Sequence, residues 1–147
     1  MENKDYHTSF ISSASSAEVF EKIGNISGWW AKHFEGKSHN PGDVFTVHFG
    51  ENGEKDMFKI QVVAVTPERI VWKVLESKQE WVKNISEWTG TEIVWDVIAE
   101  NEGARITLTH KGLNAGLECY QICTGAWNYL ATESLFNLLQ ENVGKPA

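Results

Sequence analysis

A chain of 147 residues with 41% hydrophobic residues has the size and apolar content for one core, and a single domain over residues 1–147 is expected. The formal charge of -7, from 20 acidic against 13 scattered basic residues, argues against nucleic acid and anionic membrane surfaces as partners. No apolar run approaches the ~20 residues that span a bilayer, and the polar stretch Met1 to Phe10 lacks the apolar centre of a secretion signal, so no membrane insertion and a cytoplasmic location are expected. On that reading the Asn-x-Ser sequons at Asn25 and Asn84 are chance matches.

The first element is a short strand, Tyr6 to Ile11. Ser15 and Glu18 then have the spacing of a capping box, and Ala17, Val19, Phe20 and Ile23 form an apolar stripe, so a short helix follows that Gly24 ends. A second helical turn is expected over Ile26 to Lys32, with Trp29 and Trp30 inside it. Pro41-Gly42-Asp43 marks a turn, after which the period changes to two. Val44 to Phe49 reads as a strand and Gly50-Glu51-Asn52-Gly53 as a hairpin turn. Met57 to Val65 sets Phe58, Ile60, Val62 and Ala64 on one face. Arg69 to Leu75 turns Ile70, Trp72 and Val74 inward. Thr91 to Glu100 does the same with Ile93, Trp95 and Val97, leaving Glu92, Asp96 and Glu100 as a solvated outer face. After Asn101-Glu102-Gly103, Ala104 to His110 points Ile106 and Leu108 in. Such alternation describes an antiparallel sheet with one wet face.

From about Glu118 to Glu141 there is no proline, and Cys119, Tyr120, Cys123, Trp127, Leu130, Ala131, Ser134 and Leu138 share one face of a helix ~35 Å long. Gly144 and Pro146 lie where a stop is expected. The fold class is therefore α+β: a curved antiparallel sheet of five or six strands, two short helices after the first strand, and a long C-terminal helix covering the apolar face. A strongly curved sheet closing on a helix often leaves a cavity.

Several chemistries are not encoded. There is no Gly-x-Ser-x-Gly elbow, glycine-rich phosphate loop or His-Glu-x-x-His run, and His33, His39, His48 and His110 lack ligand spacing beside carboxylates. No cofactor and no metal are expected. Cys119 and Cys123, four apart on a helix, fit disulfide geometry poorly and read as buried thiols. By parity His110 faces inward, where it either orients a ligand at a pocket mouth or bonds the following loop. Seven tryptophans stand out. Trp72, Trp95 and Trp127 point inward, to line a cavity or to fill a core. Trp29, Trp30, Trp81 and Trp88 fall in connections, where exposed rings would cap the pocket or meet a partner. The connection Ser77 to Gly90 is long for a hairpin, and long loops often carry function; its tryptophans are expected to tuck it onto the body.

The element order, with Leu108-Thr109-His110-Lys111-Gly112-Leu113 ending the last strand, resembles the START-like (SRPBCC) superfamily. Val65 to Trp72 looks like a mid-sheet hairpin of its branch of homologues of the heat-shock chaperone ATPase activator (activator of Hsp90 ATPase homologue-like). Glu87-Trp88-Thr89-Gly90-Thr91 resembles the entry to that branch's next strand. Gly125-Ala126-Trp127, with Leu130, Leu135 and Leu138, resembles its terminal helix, the usual Gly-Trp pair being split by Ala126. The resemblance covers nearly the whole chain and implies a helix-grip fold. It marks no catalytic set, because the superfamily includes lipid and hormone binders, cyclases, hydroxylase domains and chaperone co-factors.

Three functions follow. The first is binding of a hydrophobic or amphipathic small molecule between sheet and helix, by Trp72, Trp95, Leu108, His110, Tyr120, Cys123, Trp127, Leu130 and Ser134. The second is a cyclase- or hydrolase-type enzyme on the same scaffold, for which His110 is the one acid–base candidate. The third is a protein-interaction or chaperone-accessory module, or a homodimer, using exposed tryptophans and the acidic sheet face.

Overall fold

Ser15 begins the first helix as its spacing predicts: its Oγ accepts the backbone N–H of Glu18 at 3.2 Å. The computed structural model describes residues 4–50, 53 and 55–147. Residues 1–3 of the polar N-terminal stretch, and Glu51 and Asn52 of the expected hairpin turn, lie outside the described residues.

The chain runs β1 (Tyr6–Ser12), α1 (Ser16–Gly24), α2 (Ile26–Trp29), β2 (His33–Gly36), β3 (Val44–His48), β4 (Met57–Thr66), β5 (Arg69–Lys78), β6 (Glu92–Glu100) and β7 (Gly103–Lys111). It ends in α3 (Tyr120–Tyr129), which passes through a π-helical segment (Leu130–Leu135) into α4 (Phe136–Glu141). Among the described residues the sheet has seven antiparallel strands in the order β1-β7-β6-β5-β4-β3-β2. The expected five or six omitted β2, whose four residues pair with β3 from His33↔His48 to Gly36↔Phe45. α1 and α2 carry the chain from one edge of the sheet to the other, and a six-strand meander returns it to β1. No helix among the described residues is long and apolar enough to cross a membrane.

Two bulges in the β4–β5 ladder give the sheet its curl. Between Lys59 and Ile60, and again between Val62 and Ala64, the register shifts, and Leu75 and Val63 are the residues turned out to solvent. The shift at Leu75 also reverses parity. Ile70, Trp72 and Val74 face inward, but Ser77 follows them instead of Glu76, which stays exposed. Alternation alone would have put a carboxylate in the core. β5 pairs with β6 only from Arg69↔Asp96 to Lys73↔Glu92, so the far end of the β4–β5 hairpin extends beyond β6.

The long helix lies on the apolar face. Cys119, Cys123, Trp127, Leu130, Ala131, Ser134 and Leu138 are buried as the wheel predicts, and Leu135 joins them through the wider π turn. Its stop is Asn142, which takes the left-handed conformation (φ 63°) two residues before the expected Gly144. Beyond it the chain doubles back, and Ala147 exchanges backbone hydrogen bonds with Trp30 and Lys32, each 2.9 Å long.

The segment between Lys78 and Glu92 is fastened to the start of this helix. α3 has no capping side chain of its own. Instead the Glu87 carboxylate accepts the backbone N–H groups of Glu118 at 2.9 Å and Cys119 at 3.2 Å, while Glu118 accepts the N–H of Lys83 at 3.2 Å. Glu87→Ala is expected to lower stability by about 1 kcal/mol, as for loss of a helix cap, with partial recovery in Glu87→Gln. Urea unfolding of the three proteins checks this, and an unchanged midpoint in Glu87→Ala would refute it.

Candidate functional site

Where the β4–β5 hairpin extends past β6, the sheet and α3 do not meet side chain to side chain. A mostly apolar cavity of about 240 Å³ occupies the gap. Phe49 comes to its wall from just past β3 and Phe58 from β4, and Gln79, Trp81 and Trp88 from the connection after β5. Ile122, Cys123, Ala126, Trp127 and Leu130 form the helical side. Trp30, Asp56 and Ala147 complete the lining, and the exposed side chains of Trp81 and Ile122 mark its open side.

Indoles set the depth of this cavity. Trp30 stacks on Trp72 (6.0 Å between centroids, 6° between planes) and on Trp29 (5.8 Å, 20°). Trp95 meets Trp29 and Trp72 edge to face at 5.5 and 5.7 Å, and Trp127 lies 5.1 Å from Trp30. Trp88 stacks on Trp127 at 5.9 Å and sits 4.2 Å from Phe58. Offset and edge-on contacts of this kind favour one fixed arrangement. The packing leaves no exposed ring at Trp29 or Trp30, and it tucks the Ser77–Gly90 connection onto the body through Trp88 as expected. Trp29, Trp30 and Trp88 are buried although they stand in connections, because α2 and the 79–91 segment fold inward over the sheet. Trp81 alone of that group is exposed, and its Nε1 donates to Asp56 Oδ2 at 2.8 Å.

His110 is fixed inside this aromatic layer and is wholly buried. Trp127 Nε1–H donates to His110 Nδ1 at 3.0 Å. Because Nδ1 accepts, the ring proton is on Nε2, which therefore donates to Thr91 Oγ1 at 2.9 Å. The Thr91 hydroxyl in turn donates to the carbonyl of Trp88 at 2.6 Å. Burial depresses the pKa of His110 from 6.5 to about 3, so the ring is neutral. Both nitrogens are occupied and the ring is not on the cavity wall, so neither imidazole nitrogen is free toward the cavity.

The remaining polar groups gather at Cys123. Gln79 Nε2 donates to Cys123 Sγ at 3.5 Å, and Gln79 is itself 1% exposed. Both cysteines are free thiols and buried. Cys119 keeps its proton and bonds to its neighbour, which pushes the Cys119 thiol far up and draws the Cys123 thiol down, against the effect of burial. Among the described residues no Lys, Arg or His lines the cavity.

Three residues expected from the sequence meet at this cavity: Cys123, Trp127 and Leu130. The others lie elsewhere. Trp72 and Trp95 fill the core behind Trp30, and Leu108 is buried opposite Trp95 on β7. Ser134 is a staple: its Oγ donates to the carbonyl of Trp29 and accepts the N–H of Lys145, both at 2.7 Å. Tyr120 is half-buried and off the wall. Sequence reading missed Phe49, Asp56, Phe58, Gln79, Ile122, Ala126 and Ala147 as wall residues. A run of aromatic residues at strand ends was the available signal for Phe49 and Phe58, and Gln79 had none.

No protein-family model matches the chain, and no curated protein does. Solved structures do. The Aha1 dimer from Colwellia psychrerythraea superposes with a TM-score of 0.73 at 17% identity, over 95% of this chain and 97% of that one. Protein SSP2350 from Staphylococcus saprophyticus gives 0.72 at 17% identity, over 97% and 96%. DynU16, a protein of the dynemicin biosynthetic locus, gives 0.66 at 17% identity, over 94% of this chain and 48% of that one. At these identities the likeness is one of fold: the chain has the α+β helix-grip architecture of these structures, a curved antiparallel sheet packed on a long C-terminal helix.

The His110 geometry has a pH signature. Its folded pKa lies below its unfolded value, so the unfolded chain binds the extra proton between about 3 and 6.5. Stability is fully present above pH 6.5 and falls as pH drops through that window, by up to about 1.4 kcal/mol per unit from this group. Nitrogen-15 shifts of the imidazole are expected to show the Nε2–H tautomer with no titration between pH 5 and 8. A ring that titrates near 6.5 would contradict the assignment.

Proposed function

We propose that the chain binds an apolar or amphipathic small molecule in the cavity beside α3. The observation that carries this reading is a hollow of about 240 Å³ set in a core otherwise filled by interlocking indoles. Six aromatic residues, Trp30, Phe49, Phe58, Trp81, Trp88 and Trp127, line it. A cavity of about 150 Å³ holds benzene, so this one has room for one or two fused rings. Cys123, Trp127 and Leu130 are the ligand contacts retained from the sequence, joined by Trp30, Phe58, Gln79 and Trp88. Trp72, Trp95, Leu108, His110, Tyr120 and Ser134 support them from behind. With His110 neutral and fully bonded, a binding role fits better than an acid–base enzyme.

Ala126 permits a direct test, because it lines the cavity from an exposed helical position. Ala126→Trp is expected to leave the unfolding midpoint near that of wild type and to weaken binding of the neutral probe N-phenyl-1-naphthylamine at least tenfold. Absence of probe binding to the wild type, or equal binding to both proteins, would sink the proposal.

We also infer that the chain falls in the branch of homologues of the chaperone ATPase activator, acts as one domain, and works in the cytoplasm. The likeness to Aha1 over 95% of the chain supports the branch, and the dimeric state of that protein supports a homodimer here. Light scattering at micromolar concentration is expected to give twice the 16.6 kDa chain mass. A monomer mass at the highest soluble concentration would refute the dimer.

A further inference from the structure

The softest nucleophile on the cavity wall is the thiol of Cys123. Cys123 is 5% exposed and lines the cavity, while Cys119, one turn earlier on the same helical face, is 0% exposed and does not reach it. A cysteine side chain has only Cβ and Sγ, so a place on the wall puts the sulfur within one bond of the space.

Three donors are directed at that sulfur. The Cys119 thiol donates to it, Gln79 Nε2 reaches it at 3.5 Å, and the Trp88 indole N–H, which has no oxygen or nitrogen acceptor, is aimed at the same two thiols. The donors are fixed in place. The Gln79 backbone N–H donates to the carbonyl of Ile85 at 2.8 Å, and Trp88 is held between Phe58, His110 and Trp127. Donors around a sulfur favour its thiolate, the form that attacks. With the Cys119 bond foremost, they draw the Cys123 thiol below its ordinary range, against burial and the Glu87 carboxylate. Cys119 on its own helix and Glu87 from the connection are the titratable neighbours of this thiol, and Asp56 lines the same cavity.

We propose that Cys123 captures, as a thioether, an uncharged α,β-unsaturated carbonyl compound whose apolar ring fills the cavity. This rests on the binding role proposed above and names the ligand class. Sγ adds to the β-carbon, and a C–S bond forms as the C=C π bond breaks. The electron pair passes to the carbonyl oxygen as an enolate, and the proton that the thiol gave up to water at the open side returns to the α-carbon. Nothing is oxidised or reduced, and no group leaves. The wall narrows the class. Among the described residues it has no amine, so no imine competes at the carbonyl. It has no cation either, so an anionic electrophile enters unpaired beside Asp56. A polarizable sulfur favours the polarizable double bond. Two cysteines four apart on one helix close a disulfide poorly, which leaves the thiol available.

The test uses phenyl vinyl ketone, methyl vinyl ketone and the para-carboxylate of the first on the whole chain, with adducts located by peptide mass spectrometry. Each rate is divided by that of the same reagent with free cysteine. Wild type is expected to react at Cys123 alone, about tenfold faster with phenyl than with methyl vinyl ketone, the worth of burying a ring, and slowest with the carboxylate. The rate should saturate with reagent, and N-phenyl-1-naphthylamine should slow it. Cys123→Ser should lose the adduct although Cys119 remains. Cys119 and Gln79 act as positioning residues, so Cys119→Ala and Gln79→Leu should each move the midpoint of the rate–pH profile upward, and Cys119→Ser, which keeps a donor, should restore part of the shift. A midpoint unmoved in both variants would overturn the role given to the donors. Equal corrected rates for the two neutral ketones would mean entry by local opening and would overturn the proposal. So would the absence of a Cys123 adduct, and if the naphthylamine still binds, the binding role stands without it. Failure of the naphthylamine to bind wild type would remove the binding role and this proposal with it. The wild-type rates decide the matter even if a variant does not fold.

Discussion

The indole N–H of Trp127 has one acceptor, His110 Nδ1, and the rest of the site depends on that bond. It joins the middle of the terminal helix to the end of β7. Through Thr91 and the carbonyl of Trp88 it continues into the connection that covers the site. Each donor in the chain has one acceptor, so the rotation of the helix, the tautomer of the imidazole and the position of Trp88 are set together. In a dry interior such a network stabilises only when every member is satisfied. Removing His110 would leave the Trp127 indole N–H to find a new acceptor among hydrocarbon, while the Thr91 hydroxyl would keep the carbonyl of Trp88 and lose only the donor it accepts from.

With Trp127 and Trp88 held parallel, the space between α3 and the β4–β5 hairpin cannot collapse onto either ring. The hairpin itself is kept away by geometry, since β5 loses β6 as a neighbour after Lys73. The bulge at Leu75 then turns Ser77, not Glu76, toward the interior, and Ser77 closes on Thr89 through two hydrogen bonds of 3.1 Å. A hollow persists here because its walls are fixed by polar bonds and stacked rings instead of by contact with each other.

Alternation in β4 to β7 and the long helical stripe made the fold legible, because burial of one face imposes a period that composition displays directly. β2 was not legible. His33-Phe34-Glu35-Gly36 is an edge strand with no buried side chain, and its Gly36 (φ 102°) sits where a Cβ would lie 2.3 Å from the carbonyl oxygen of Val44. Parity correctly turned Trp72, Trp95, Leu108 and His110 inward. Parity fixes a face, however, and not a position along the strand, and the cavity lies at one end of the sheet, beyond all four. Gln79 and Trp88 reach it through the path of a connection that no local period encodes. The register shift at Leu75 is equally silent in sequence, since an extra residue in a ladder is defined only by its partner strand.

The contact network of the indoles has an optical consequence. Six of the seven tryptophans form an unbroken series of neighbours within 6.3 Å, from Trp29 through Trp30, Trp72, Trp95 and Trp127 to Trp88. At such separations electronic excitation does not stay on the ring that absorbed it. It migrates through the series, so the emission of this protein belongs to the set and not to any one residue. Three members, Trp30, Trp88 and Trp127, also form the cavity wall. An occupant that touches one of them therefore alters the light collected by all, and the molecule carries a built-in reporter of whether the cavity is full.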